Sequence, residues 1–183
     1  MCCNSSAELG EWFINADGEK ERGDHSGNKT EIALLLFCEN VGADYQKFRE
    51  EYIPEDGVRF PFTSSRKRMT SQVDYNGKSY LFIKGASEYI LDTCESIHYW
   101  DTDEIVPMTQ EKKDEINKAI YTMAKGTLRT LCFAYKDIES IPEDAEPNKQ
   151  GVYDIETKGF KLLCVTGIRD VLRPTVKESV RKC

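Results

Sequence analysis

The chain has 183 residues and a formal net charge of −7, which fits one domain and excludes a complete transporter, polymerase or multidomain enzyme. The negative charge argues against a nucleic-acid binder whose affinity comes from neutralising phosphates. Hydrophobic residues make up 39% of the chain, enough for one core, and the longest apolar run, 32–38, is shorter than the about 20 residues that a membrane span needs.

The cysteines indicate a reducing compartment. Seven are present without any Cys-x-x-Cys pair, and Cys38, Cys132 and Cys164 lie inside apolar segments. We therefore expect reduced, buried thiols, and the two histidines are too few to suggest a zinc site. The first six residues lack the basic and then apolar pattern of a secretory signal.

The first quarter of the chain predicts a strand and two helices. A short apolar stretch at 9–14, followed by a charged run with glycines, indicates a strand and an exposed loop. Thr30 precedes the apolar run 31–37, which predicts a buried helix capped by Thr30. Aromatic residues at helical spacing then predict an amphipathic helix over 45–52.

The clearest local signal is a hairpin. Asn76-Gly77 lies between two extended segments and is the residue pair favoured in a two-residue type I′ turn. This turn makes Met69 face Lys84. Because side chains alternate along a strand, Lys67 and Phe82 are expected on the same face as that pair.

The rest of the chain alternates helices with strands. The predicted elements are a helix over 87–91 capped by Ser87, a hairpin around 101–103, a helix between Thr109 and Gly126, a strand over 128–135, an acidic surface loop over 138–151 and a fully buried strand over 160–166. The succession of antiparallel hairpins and interspersed helices predicts an α+β domain, an antiparallel β-sheet with flanking helices.

Common catalytic motifs are absent from the sequence. It has no Gly-x-x-x-x-Gly-Lys-Ser/Thr loop, no Gly-x-Gly-x-x-Gly and no serine in a nucleophile elbow. His25 falls in a loop and His98 in a hairpin, where solvated or structural roles are favoured. An autonomous hydrolase therefore has little support.

Four short clusters combine aromatic, basic and glycine residues. They are GNKTE at 27–31, FPFTSSRKRM at 60–69, KGA at 84–86 and TLRTL at 127–131. Singly, each has an ordinary structural interpretation as a helix cap, a solvated charge run or a strand end. Together they suit a planar base that carries a polyphosphate: the ring of Phe62 stacks, cations meet the phosphates, and Glu31 accepts a hydrogen bond from an exocyclic amine.

In order and spacing, these clusters resemble the nucleotide-binding (N) domain of P-type ion-transporting ATPases, specifically calcium pumps of the plasma-membrane type. The matching elements are 27–34 with Gly-Asn-x-Thr-Glu-x-Ala-Leu, 60–69 with Phe-Ser-x-x-Arg-Lys-x-Met, 84–86 with Lys-Gly-Ala, 128–131 with Leu-Arg-Thr-Leu, and 167–174 with the hinge that returns the chain to the phosphorylation domain. Asp170 and Arg173 are the expected hinge residues. The five elements cover nearly the whole chain in the family's order.

The resemblance implies an ATP-binding role for ten residues. Phe62 would stack on adenine and Glu31 would contact its amino edge. Lys84, Gly85 and Ala86 would form the floor of the adenine pocket. Met69 would form one wall, and Leu131 would pack against the base.

The remaining roles concern the ribose and the phosphates. Lys67 and Arg129 would reach both groups, and Thr30 would cap its helix and touch the nucleotide. Ser64 stands where calcium pumps of the sarcoplasmic reticulum type carry an arginine, so a phosphate contact is either lost or taken over by Arg66. Val171 stands where the family's hinge usually has proline, a change that removes a fixed φ.

The family's phosphorylated aspartate lies in an Asp-Lys-Thr-Gly-Thr element, which this sequence does not contain. We therefore expect a fragment: residues 1–166 form the N domain without its first strands, and 167–183 form the hinge and the start of the phosphorylation domain. Such a fragment has no catalytic residue and is expected to bind ATP without turning it over. Mg²⁺ would accompany ATP, held mainly by the phosphorylation domain.

The expected partners are ATP and the phosphorylation and actuator domains of the same parent chain, without nucleic acid or membrane contact, and the fragment is expected to be a monomer. Its expected location is the cytoplasmic side of the plasma membrane or of an internal calcium store. Three alternatives stay open: a pump for another cation, a non-catalytic nucleotide-binding or regulatory module, and a free-standing ATP hydrolase. The retained pocket residues speak against the module, and the missing aspartate speaks against the hydrolase.

Overall fold

The computed structural model describes residues 1–142, 145–170 and 175–183. Within these ranges the chain forms nine strands, five α-helices and one short 3₁₀ turn at Asp154–Glu156. The elements in chain order are β1 (Trp12–Ile14), β2 (Lys20–Arg22), α1 (Lys29–Asn40), α2 (Tyr45–Tyr52), β3 (Arg59–Phe60), β4 (Arg68–Tyr75), β5 (Lys78–Ala86), α3 (Ser87–Leu91), β6 (Cys94–Tyr99), β7 (Glu104–Pro107), α4 (Gln110–Lys125), β8 (Leu128–Ile138), β9 (Phe160–Arg169) and α5 (Val176–Lys182).

Seven strands form one sheet in the order β3-β4-β5-β8-β9-β6-β7. Neighbouring strands are antiparallel except for β6 and β9, which pair in parallel. Strands β1 and β2 form a separate two-stranded ribbon. The predicted α+β class is confirmed, with one parallel pair that the local patterns did not indicate.

The predicted hairpin is confirmed in its turn and register. Asn76 has φ 50 and Gly77 has φ 73, as a type I′ turn requires, and Met69 lies opposite Lys84. The expected alternation does not extend to Lys67, however. That residue precedes β4 and has φ 57. The extended geometry that would place its side chain with Met69 therefore begins only at Arg68.

The two faces of the sheet carry different layers. One face packs under α3 and α4; its buried residues include Leu81, Ile83, Cys132, Ala134, Phe160 and Leu162. The opposite face carries Met69 and Lys84 and lies under the N-terminal segment. There the side-chain amide of Asn4 donates to the carbonyls of Met69 and Phe82, both at 3.1 Å.

Several local expectations need correction. The N-cap of α1 is Asn28, whose side chain accepts from the Thr30 N–H at 2.8 Å, so Thr30 is not the cap. Helix α1 buries only one side, since Phe37 is 54% exposed. Ser87 makes no capping hydrogen bond, whereas the predicted cap at Thr109 accepts from the N–H of Lys112.

Strand β9 also differs from its prediction. It is not fully buried: Phe160 and Leu162 face the core, whereas Cys164 is exposed. Its pairing with β8 continues to Arg169, and the domain boundary at 166 stays a prediction. Residues 171–174, including the hinge residue Arg173, lie outside the described residues. Asp170 directly follows β9.

No helix in the described part of the chain is both long and apolar enough to cross a membrane.

Candidate functional site

A buried ion pair joins the first turn of α1 to the end of β5. The Lys84 Nζ lies 2.5 Å from the Glu31 Oε1, and the two residues are only 5% and 6% exposed. Lys84 also donates to the Asn4 carbonyl. The Glu31 Oε2 accepts from Ser6 twice, from the hydroxyl at 2.9 Å and from the N–H at 3.2 Å.

This environment keeps Glu31 ionised. Burial alone would raise its pKa, but the charge and hydrogen bond of Lys84, with the two hydrogen bonds from Ser6, lower the pKa below its ordinary value. A carboxylate offers about four acceptor positions. Among the described residues, Lys84 donates once to Oε1 and Ser6 twice to Oε2, so by this count one acceptor position remains, on Oε1.

Gly85 permits a close backbone crossing beside this pair. A Cβ built at Gly85 would lie 2.3 Å from the Lys67 carbonyl oxygen, and the same oxygen accepts from the Ala86 N–H at 3.0 Å. Gly85 therefore accommodates the backbone of Lys67. The Lys67 side chain lies at the exposed surface.

Strand β8 adds a cation at the same edge of the molecule, where the end of β5 meets the start of β8. The exposed Arg129 donates from Nη1 to the Thr30 hydroxyl at 3.2 Å, the one hydrogen bond that its guanidinium makes among the described residues. Leu131 lies opposite Ala86 in the pairing of β8 with β5. The start of α1, the end of β5 and the start of β8 thus meet around residues from three sequence clusters.

Phe62 lies in the irregular segment between β3 and β4 and is 48% exposed. The turn that follows is closed by a hydrogen bond from the Lys67 N–H to the Thr63 carbonyl at 2.9 Å. Ser64 is exposed, but Arg66 is buried and donates to the Pro61 carbonyl and to Glu156. Arg66 is therefore engaged inside the protein, and the alternative that it takes over a phosphate contact is not supported.

Direct contacts or strand pairing connect nine of the ten predicted site residues, and Phe62 joins them through the 63–67 turn. The sequence patterns did not indicate Asn4, Ser6, Asn28 or Glu156 as partners. Asn4 and Ser6 meet Lys84 and Glu31 from far away in the chain, and a lone Asn or Ser in a loop carries no local signal of that contact.

A cleft of about 950 Å³ lies on the same face of the sheet as the ion pair. Aromatic side chains dominate one wall, among them Tyr80, Phe82 and Tyr135, whose rings lie within 6.5 Å of one another. None of the ten predicted site residues lines this cleft. The candidate site instead combines exposed side chains, those of Phe62, Lys67 and Arg129, with a buried ion pair.

Among the described residues, no group of three or more His, Cys, Asp or Glu side chains is placed to hold a metal ion.

Comparison with known proteins shows the family of the chain. The family model described as the P-type ATPase cytoplasmic domain N matches residues 1–175. The chain is 38% identical over 170 residues to the plasma membrane calcium-transporting ATPase 1 of Gallus gallus, covering 90% of this chain and 14% of that protein. The Homo sapiens protein of the same name gives the same values.

A plant protein gives a similar match. The chain is 36% identical over 181 residues to the probable calcium-transporting ATPase 6, plasma membrane-type, of Oryza sativa subsp. japonica, covering 93% of this chain and 16% of that protein. The chain thus spans about one-seventh of the length of these relatives. It belongs to the family of P-type ATPase cytoplasmic N domains.

Proposed function

We propose that this chain binds ATP at the edge formed by α1, β5 and β8, with Phe62 stacked on the adenine ring. In the longer protein, it would present ATP for phosphoryl transfer to an aspartate outside these residues. Relatives named as calcium-transporting ATPases support calcium as the transported ion.

The observation that carries the proposal is the meeting of a buried carboxylate, an exposed aromatic ring and exposed cations at one edge. The Glu31–Lys84 pair is buried, whereas Phe62, Lys67 and Arg129 are exposed. An apolar stacking surface with a few placed polar groups is what a nucleotide requires.

Each residue contributes binding or orientation. The free acceptor position of Glu31 suits the adenine amino group, and Lys84 keeps that carboxylate ionised and fixed. Arg129 and Lys67 would meet the ribose and the phosphates. The chemistry that Mg²⁺ supplies with ATP is neutralisation of charge on the phosphates. This chain's own role is positioning, which lowers the entropic barrier to the transfer.

The test is a calorimetric titration with ATP of two purified proteins, the unchanged chain and the Phe62→Ala variant. Loss of base stacking is expected to weaken binding by about 1–3 kcal/mol, or about 5- to 150-fold. Phe13→Ala is the matched control, because Phe13 is 47% exposed and lies on the separate β1–β2 ribbon. Equal affinity of the Phe62→Ala variant and the unchanged chain would remove Phe62 from the site, and no binding by the unchanged chain would refute the proposal.

A further inference from the structure

The segment that carries Phe62 has little regular structure to fix it. Residues 61–67 lie between β3 and β4, and Phe62 itself is half exposed. A half-exposed ring on an irregular segment gains affinity for a base only if something holds the segment in place.

Arg66 holds the segment from within. Its guanidinium is buried and donates to the carbonyl of Pro61, the residue directly before Phe62. It also lies over the Phe60 ring, 5.7 Å from the centroid. Arg66 thereby connects the end of this segment to the two residues that precede Phe62.

Glu156 holds Arg66. This side chain is 0% exposed, and its Oε1 accepts from Arg66 and from the hydroxyl of Thr70 on β4. Its Oε2 accepts from the Tyr153 N–H at 3.1 Å. A carboxylate buried this completely is retained only with such partners.

The surroundings of Glu156 hold the same segment. Its backbone carbonyl accepts from Arg68 at 3.0 Å, and the Tyr153 ring stacks on Phe60 with centroids 4.1 Å apart and planes at 19°. Residues 153–156 therefore contact both sides of the Phe62 segment, although they lie about ninety positions later in the chain.

We propose that Glu156 is a positioning residue for nucleotide binding: its carboxylate fixes Arg66, and Arg66 fixes the backbone that presents Phe62. The proposal rests on the proposed function, and it assigns affinity for adenine to a residue that does not touch the nucleotide. Thr70 and Tyr153 fix the carboxylate in turn, so Glu156 is the centre of the network.

The test is a double-mutant cycle on ATP affinity with Glu156→Gln and Phe62→Ala. Glutamine keeps the size and an acceptor oxygen but removes the charge that Arg66 requires. Glu156→Gln is expected to weaken binding by about 2- to 150-fold, the range of couplings within one hydrogen-bonded network. In the Phe62→Ala background it is expected to have little further effect. A purely structural role would give the same loss in both backgrounds, and that result, or no loss at all, would overturn the proposal.

Two further measurements keep the test decisive. Asp137→Asn removes another ion pair, with Lys161, and is the control expected to leave ATP affinity unchanged. If Glu156→Gln does not fold, Thr70→Val replaces it in the same cycle, because it keeps the charges of the buried ion pair and removes the hydroxyl that fixes the Glu156 carboxylate.

NMR spectra recorded without ATP distinguish a failure of this proposal from a failure of the proposed function. Amide resonances of residues 62–65 are expected to shift in Glu156→Gln, while those of the β6–β7 hairpin stay in place. If the unchanged chain binds no ATP, the proposed function fails on its own. If the resonances of 62–65 do not move, the positioning role of Glu156 fails.

Discussion

At the scale of single residues, the Glu31–Lys84 pair lets both side chains stay charged while buried, because each charge offsets the cost of burying the other. Burial lowers the pKa of Lys84 and is opposed by the charge and hydrogen bond of Glu31. Removing one partner of a buried pair leaves the other charge uncompensated, which typically costs about 3–5 kcal/mol. The pair is therefore a structural element of the site as well as a candidate ligand contact.

The lowered pKa of Glu31 predicts a pH dependence of stability. The unfolded carboxyl titrates near its ordinary value of 4.5, so Glu31 contributes stability above that pH and loses it as the pH falls through the lower folded-state pKa. The free energy of unfolding, measured by urea denaturation from pH 7 to pH 3, should fall less steeply for Glu31→Gln than for the unchanged chain. The variant should also be less stable at pH 7.

The double variant Glu31→Gln/Lys84→Met serves as the control for that measurement. Because it removes both charges, it should recover part of the stability at pH 7 that Glu31→Gln loses. Parallel pH profiles for the unchanged chain and Glu31→Gln would show that Glu31 is not held in its ionised form by Lys84.

At the scale of secondary-structure elements, the β4–β5 hairpin carries the site and depends on Gly85. We predict that Gly85→Ala destabilises the chain by about 1–3 kcal/mol, because the added methyl group would meet the Lys67 backbone oxygen, which cannot move aside as a flexible side chain would. Urea denaturation measures this loss. Gly23→Ala is the control, since its methyl group would make an ordinary 3.5 Å contact. Equal stability of the two variants would contradict the close approach of the Lys67 backbone to Gly85.

Local chemistry explains which elements could be predicted from the sequence. The Asn76-Gly77 turn fixes the register of Met69 and Lys84 without help from the rest of the fold, and Thr109 and Gly126 bound α4 as expected. The cap of α1 was misplaced because Asn28 and Thr30 are both good capping residues. The left-handed φ of Lys67 follows from the crossing at Gly85, which only the folded hairpin reveals.

Contacts distant in sequence explain what could not be predicted. The parallel pairing of β6 with β9 joins segments separated by more than sixty residues. Arg66 and Glu156 meet across ninety residues, so the sequence left Arg66 open as a phosphate ligand. Resemblance to a family indicated the ten site residues, but the residues that hold them in place came only from the structure.

At the scale of the whole molecule, an acidic chain with a net charge of −7 presents two exposed cations where the end of β5 meets the start of β8. Arg129 comes from β8, Lys67 from the segment before β4, and the carboxylate of Glu31 from α1. The sheet brings these distant segments together, while the N-terminal segment covers the buried side of the ion pair through Asn4 and Ser6. The candidate site therefore forms only when the domain is folded.

The most direct test of ATP binding at this edge is amide chemical-shift mapping of the ¹⁵N-labelled chain during titration with ATP. We predict that the largest changes cluster at Phe62, Met69, Lys84 and Gly85, with smaller changes near Arg129. Changes confined to the acidic loop over 138–151, or to the aromatic cleft around Tyr135, would contradict the account.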